Sequence, residues 1–136
     1  MEIWLIPAFA ALLIYGLWGF FSKLAVTYIN PTSTIIYEIA GAMLVGLASL
    51  FWLRFQPETH PKGILFAVLT GVAGMLGTLF FLAAASRGKI SVVVSMTALY
   101  PLITIVLAAI FLHEPVSLTQ ILGMIFAVAA IVLLSI

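Results

Sequence analysis

Two oppositely charged residues, Lys23 and Glu38, stand inside long apolar stretches of the sequence. Each lies seven residues from the bond between Asn30 and Pro31, a dipeptide that is typical of turns. If two helices fold back on each other at this turn, both side chains reach the same depth. Glu38 is therefore a candidate for binding a cation or exchanging a proton inside a membrane. In the alternative, Lys23 neutralises Glu38 in a structural ion pair, or extends alone to the interface.

Aromatic and hydroxyl side chains supply the other candidate contacts to a substrate. Trp18 and Tyr37 lie deep inside the first two apolar stretches, where a ring either packs in the core or stacks on a substrate. Pro101 lies near the middle of the fourth stretch and removes a helical hydrogen bond. We predict a helix kink there, which is either static or adjoins a substrate cavity with polar contacts from Ser95 and Tyr100.

The composition indicates the class of protein in which these residues lie. Of 136 residues, 65% are hydrophobic and 7% are charged, whereas about a quarter of a soluble domain is charged. Five basic and four acidic residues cannot cover the surface of a soluble globule. A net charge of +1 offers no basic field to nucleic acid, and the absence of cysteine excludes disulfides and thiolate metal sites. The sequence therefore predicts an integral membrane protein in contact with the lipid bilayer, with no nucleic-acid partner.

Breaks in the sequence leave five apolar stretches of the length that a membrane-spanning helix needs, about 20 residues. They are apolar all round rather than alternating with period two, which favours helices over the strands of a barrel. The first lacks a basic leader, so we expect it to remain in the mature chain. Ser117 and Gln120 have the spacing of a capping box at the start of the last helix. The prediction is an all-α single domain over residues 1–136, with helices near residues 3–29, 32–53, 63–85, 90–112 and 117–136.

Small residues recur along the third predicted helix. Gly71, Gly74 and Gly77 follow one another at every third position. Small residues let helices approach closely in a membrane, where packing rather than the hydrophobic effect holds helices together. We predict that this face packs against another helix, either within the bundle or at the seam of a dimer.

The loops carry no set of residues suited to a metal ion or to catalysis. His60 falls in the loop between the second and third helices, and His113 and Glu114 fall in the turn after the fourth. No third ligand accompanies either histidine, and nothing resembles a catalytic triad or a phosphate-binding loop. We therefore expect no metal, no cofactor and no enzymatic activity.

Positive charges hardly distinguish the two sides of the membrane. The orientation of a membrane protein follows the Lys and Arg residues of its short loops. One side carries Lys23, Arg87 and Lys89, and the other carries Arg54 and Lys62. This balance is compatible with one weakly preferred orientation, with the N-terminus outside, and with insertion of the same chain in both orientations.

Several stretches of the chain resemble the EamA domain of the drug/metabolite transporter superfamily. Residues 83–94 and 99–102 resemble its short "A…G…S" turn and the following helix with an "l-x-P-l" centre. Residues 111–115 and 118–123 resemble its "F-L-G-E" turn and its "Q-x-x-G" final helix, and residues 15–19 match the "W-G" of its first helix. Together these segments extend the resemblance over essentially the whole chain.

The departures from the family pattern bear on electrostatics and assembly. Family members commonly carry an arginine near the start of the second helix, where this chain has Tyr37 and Glu38, and His113 replaces a glycine. Members also typically contain two such domains as inverted repeats, whereas this chain contains one. The resemblance therefore implies an antiparallel homodimer in the cell (inner or plasma) membrane, or a heterodimer with a second half-size chain.

The resemblance also implies a function. It points to a secondary transporter that moves a small metabolite or organic cation by alternating access. The carboxylate of Glu38 inside the membrane adds the expectation that transport is coupled to the proton gradient. A second hypothesis is a non-transporting membrane subunit or sensor, in which Lys23, Glu38 and the glycine face only stabilise the fold. A passive channel would need rings of polar groups along a pore, and the helices do not offer them.

Overall fold

A computed structural model describes residues 3–135, and most of these residues are helical, with no strand among them. The elements are α1 (Leu5–Tyr28), α2 (Pro31–Trp52), α3 (Pro61–Arg87), α4 (Ile90–Thr97), α5 (Tyr100–Leu107), a π-helical turn (Ala108–Leu112) and α6 (Leu118–Ser135). Four stretches are long and apolar enough to cross a membrane: α1, α2, α3 and the run Ile90–Leu112, while α6 is a shorter apolar helix. The predicted all-α membrane fold with about five spans is confirmed.

The chain forms two compact units, the first ending at Arg87 and the second beginning at Gly88. In the first unit, α3 packs against both α1 and α2, which also contact each other. In the second unit, α4 packs against α6. The candidate site described below lies entirely within the first unit.

The turn between α1 and α2 is formed by Asn30 and Pro31, the dipeptide from which the turn was predicted. Asn30 is extended, with φ −68° and ψ 157°, and its side-chain oxygen accepts a hydrogen bond from the Ser33 amide at 2.8 Å. Pro31 occupies the first turn of α2, where its fixed φ suits a helix and its missing N–H costs nothing. These residues fix the start of α2 and so the depth of every side chain that follows.

The C-terminus of α2 ends in a Schellman motif. The Phe55 amide donates to the carbonyl of Leu50 and the Arg54 amide to that of Phe51, both at 3.0 Å. Arg54 and Phe55 take positive φ values of 52° and 60°, a region that usually favours glycine. The rings of Phe51 and Phe55 meet edge to face at 4.9 Å, which supports this turn.

The start of α6 is the capping box that its sequence predicts. The Gln120 amide donates to the Ser117 hydroxyl at 3.2 Å, and the Ser117 amide donates to the Gln120 side-chain oxygen at 2.7 Å. Two amide groups that the helix itself cannot satisfy are therefore paired. The box places the first residue of α6 at Leu118.

The fourth span is not one continuous α-helix. It is interrupted at Ala98 and Leu99, and the Leu102 amide donates to the carbonyl of Leu99 at 3.0 Å, a tighter turn than that of an α-helix. Pro101 follows this interruption and has no amide hydrogen to continue the helical pattern. The span ends with a π-helical turn, and His113 closes it with φ 57° and ψ 32°.

Most large apolar side chains are exposed on the surface of the chain. Among residues 3–134, the buried hydrophobic side chains are those of Phe81, Leu82, Ala85 and Val93. Large apolar residues along every helix are instead exposed, including both faces of α1. A surface of this kind is covered by lipid or by other helices in a membrane, which agrees with the class that the composition predicts.

Candidate functional site

A cleft of about 250 Å³ in the first unit brings three predicted site residues together. Trp18 reaches it from α1, and Tyr37 and Glu38 reach it from α2. The other residues that line it are Phe21, Ser22, Ala25, Ile29 and Thr34. The cleft is therefore largely apolar and aromatic, with one carboxylate and two aliphatic hydroxyl groups.

The carboxylate of Glu38 is only half satisfied. Its Oε1 accepts a hydrogen bond from the indole Nε1–H of Trp18. Its Oε2 is buried and has no hydrogen-bond partner among the residues that the structure describes. A buried polar atom without a partner costs about 1–3 kcal/mol, and more when it is charged. This oxygen is therefore the place where a proton or a bound cation would be stabilised.

Trp18 connects all three helices of the unit. Its ring packs against that of Phe81 on α3, with the ring centroids 4.8 Å apart and the planes tilted by 32°. Phe81 is buried, with 6% of its surface exposed. Phe81 on α3 packs against the indole ring, and Glu38 accepts a hydrogen bond from the indole N–H. The position of the carboxylate therefore depends on three helices.

Lys23 lies on a different side of α1. Its Nζ donates to the carbonyl oxygen of Ala85 at 2.6 Å, in the last turn of α3. The carbonyls at a helix C-terminus carry partial negative charge, so a cation there is favourable. Five residues separate Trp18 from Lys23, which is about 140° around the helix axis. Lys23 is not among the residues that line the cleft, and its ion pair with Glu38 stays a prediction.

Two hydroxyl residues of the cleft were not among the predicted site residues. Ser22 and Thr34 are buried, with 6% and 5% of their surfaces exposed. Ser22 follows Trp18 by four positions, and Thr34 precedes Glu38 by four, so each pair shares a helix face. This spacing could have identified both. Phe81 offers no such signal, because its contact joins helices that are distant in sequence.

The remaining predicted polar residues lie in the second unit. The Ser95 hydroxyl donates to the carbonyl of Ser91 within its own helix at 2.7 Å. Tyr100 leaves 63% of its surface exposed. Pro101 lines a groove of about 530 Å³ between α5 and α6, to which Glu114 also contributes. The prediction that these residues share a substrate cavity with Glu38 stays a prediction.

The glycine face of α3 is open within the chain. No atom lies within 4 Å of the position that a Cβ would take at Gly71, Gly74 or Gly77. These residues are exposed. The predicted packing of another helix against this face, within the bundle or at a dimer seam, stays a prediction.

Comparison with known proteins shows the family to which this chain belongs. The model of the EamA-like transporter family matches residues 2–136. The chain belongs to the EamA-like transporter family. It is therefore a multi-pass membrane protein of a transporter family, of the drug/metabolite transporter kind. The resemblance seen in the turn and proline motifs is confirmed.

Two relatives of this EamA-like chain differ in length. An "uncharacterized protein MJ1333.1" of Methanocaldococcus jannaschii is 33% identical over 123 residues, which cover 90% of this chain and 88% of that protein. An "uncharacterized transporter YvbV" of Bacillus subtilis is 43% identical over 60 residues, which cover 44% of this chain and 20% of that protein. One relative is thus of similar length and the other about twice as long. No solved structure matches the chain.

Proposed function

We propose that this chain is a secondary transporter that moves a small metabolite or organic cation by alternating access, coupled to protons through Glu38. The observation that carries the proposal is the buried Oε2 of Glu38, which lacks a hydrogen-bond partner among the described residues. Glu38 lines a cleft with aromatic side chains from two helices. A carboxylate inside a membrane is costly, and an unsatisfied oxygen makes binding of a proton or cation favourable.

We propose further that two copies of the chain assemble antiparallel in the inner or plasma membrane. The nearly even distribution of Lys and Arg between the loops supports insertion in both orientations. The match to a relative about twice as long also supports a fold completed by a second repeat. A heterodimer with a second half-size chain is the competing assembly.

Proteoliposomes with and without a pH gradient test the proposed transport. A panel of small metabolites and organic cations is applied while the transport current is recorded on a solid-supported membrane. We expect at least one compound to give a current that depends on the pH gradient. We expect Glu38→Gln to abolish this current while the variant keeps the assembly size of the wild type, because the amide retains the shape but carries no charge.

Glu58→Gln is the matched control, since Glu58 lies exposed in the loop between α2 and α3 and outside both the Glu38 cleft and the groove at Pro101. It should keep the wild-type current. Full transport by Glu38→Gln would leave the carboxylate with a structural role only. Transport without any dependence on the pH gradient would remove Glu38 as the proton carrier.

A further inference from the structure

We infer that the cleft between α1 and α2 binds a small amine that keeps at least one N–H, and that this N–H donates to Oε2 of Glu38. The inference rests on the proposed function, since it assigns the chemical class of the substrate to the same site. It goes further in distinguishing amines from other organic cations and from neutral metabolites.

The unpartnered oxygen sets two requirements on a bound molecule. Oε2 of Glu38 is a buried hydrogen-bond acceptor on a group that carries charge when ionised. A protonated amine satisfies both requirements, because it donates a hydrogen bond and compensates the charge. An alcohol donates a hydrogen bond but leaves the charge uncompensated. A quaternary ammonium compensates the charge but leaves the oxygen without a donor.

The side chains around the carboxylate do not compete for it. Among the described residues that line the cleft there is no Lys, Arg or His. Within residues 3–135, the donor that reaches Glu38 is the indole of Trp18, and it engages Oε1. The ammonium of Lys23 is held at the carbonyl of Ala85 on α3. Oε2 of Glu38 is therefore available as an acceptor to a molecule that binds in the cleft.

The walls of the cleft favour a cation with an apolar body. Trp18 and Tyr37 present aromatic rings, whose faces attract a positive charge within about 6 Å. Phe21, Ala25 and Ile29 supply apolar surface for the carbon skeleton. Packing against Phe81 holds the ring of Trp18 in place before a ligand arrives, so that little freedom is lost on binding.

The volume limits the size of the amine. At about 250 Å³, the cleft lies below the range of roughly 300–1,000 Å³ that is usual for drug-sized ligands. An amine with a single small ring is of a size that this volume accommodates. Benzylamine is a suitable probe, with benzyltrimethylammonium and benzyl alcohol as its quaternary and neutral counterparts.

The first experiment measures binding of the three probes to the full chain in lipid nanodiscs. Trp4→Phe and Trp52→Phe are introduced together, so that Trp18 is the one remaining tryptophan and its fluorescence reports on the cleft. We expect benzylamine to quench this fluorescence saturably. We expect the quaternary and the neutral probe each to bind about tenfold more weakly or worse, because each leaves one requirement of the carboxylate unmet.

The second experiment compares two glutamate variants in the same tryptophan background. Glu38→Gln should weaken benzylamine binding by about tenfold or more, since a hydrogen bond to a neutral group replaces one to a charged group. Glu58→Gln should leave the affinity unchanged. The comparison among the three probes needs no substitution of Glu38, so it decides the inference even where Glu38→Gln does not fold.

Three results would overturn the inference: no saturable binding of benzylamine, equal binding of benzyl alcohol or benzyltrimethylammonium, or equal affinity in folded Glu38→Gln. These results are distinct from failure of the proposed function. A proton-coupled current that needs Glu38, without any preference for amines in binding, would uphold transport and reject the amine. Glu38-dependent binding of benzylamine without a current for any compound would uphold the amine site and reject transport.

Discussion

The hydrogen bond between Trp18 and Glu38 decides which carboxylate oxygen is available to a ligand. The indole donates to Oε1, and Oε2 remains without a partner among the described residues. Because Phe81 fixes the indole from α3, the two oxygens are not equivalent. Oε1 joins α1 to α2 through this hydrogen bond, so Oε2 is the oxygen that a proton or a ligand would engage. A single residue, Trp18, therefore contributes to both stability and binding.

Trp18→Phe separates these contributions. Phenylalanine keeps an aromatic ring against Phe81 but has no N–H to donate to Glu38. Hydrogen bonds between membrane helices contribute about 0.6 kcal/mol on average and up to about 1.7 kcal/mol. We expect the free energy of unfolding to fall by an amount within this range, measured by equilibrium unfolding in mixed detergent micelles.

The matched control places Trp18→Phe in a Glu38→Gln background. If the indole acts through the charged carboxylate, the cost of Trp18→Phe should be smaller there, and a double-mutant cycle gives the coupling. Equal costs in both backgrounds would mean that Trp18 stabilises the unit by ring packing alone.

At the scale of the elements, the starts of helices are the features that short stretches of sequence predict best. The Asn30–Pro31 pair and the Ser117–Gln120 box mark helix starts because they satisfy amide groups that a helix leaves free. The number of spans follows from the lengths of the apolar runs, since an apolar run of about 20 residues matches the membrane thickness. These features depend only on neighbouring residues, so the sequence suffices to predict them.

The parts that could not be predicted depend on helix rotation and on long-range contacts. Matched depth suggested that Lys23 faces Glu38, but depth does not set which side of α1 faces α2. In the structure, Trp18 donates to Glu38 and Lys23 donates to Ala85. The π-helical turn of the fourth span was missed, because Pro101 predicts a kink but not the hydrogen bonds that follow it. Prediction of such features needs the packed structure.

The backbone conformation of His113, at the end of the fourth span, leads to a prediction about stability. It takes φ 57° and ψ 32°, a left-handed conformation that costs an L-residue with a side chain about 1–2 kcal/mol. The resembling family turn has glycine at this position. We expect His113→Gly to raise the free energy of unfolding by about 0.5–1 kcal/mol, because glycine avoids the strain but loses more backbone entropy on folding.

His113→Val is the opposing control, since a β-branched residue is least compatible with positive φ. It should lower the free energy of unfolding in the same micelle assay. Thr59→Gly, in the loop between α2 and α3, shows whether glycine stabilises the chain at any loop position. Destabilisation by His113→Gly would mean that the imidazole makes a contribution that outweighs its backbone strain.

At the scale of the whole molecule, the distribution of positive charges decides how the chain enters the membrane. In the predicted topology, one side of the membrane carries Lys23, Arg87 and Lys89, and the other carries Arg54 and Lys62. Small changes in these residues should therefore fix one orientation. Removing Arg54 and Lys62 leaves all the positive charge on one side. Removing Arg87 and Lys89 while adding Thr59→Lys reverses the balance.

The proposed antiparallel homodimer makes a prediction for these two orientation variants. In Arg54→Gly/Lys62→Ala, glycine suits the positive φ of residue 54, so the end of α2 is preserved. Reporters fused to the C-terminus should give signal on both sides of the membrane for the wild type and on opposite single sides for the two variants. Each variant alone should lose transport, and co-expression should restore it, because only the mixture supplies both orientations. Arg54→Lys/Lys62→Arg keeps the charge balance and should behave as the wild type. A heterodimer, by contrast, predicts one-sided signal from the wild type and no recovery when the two variants are expressed together.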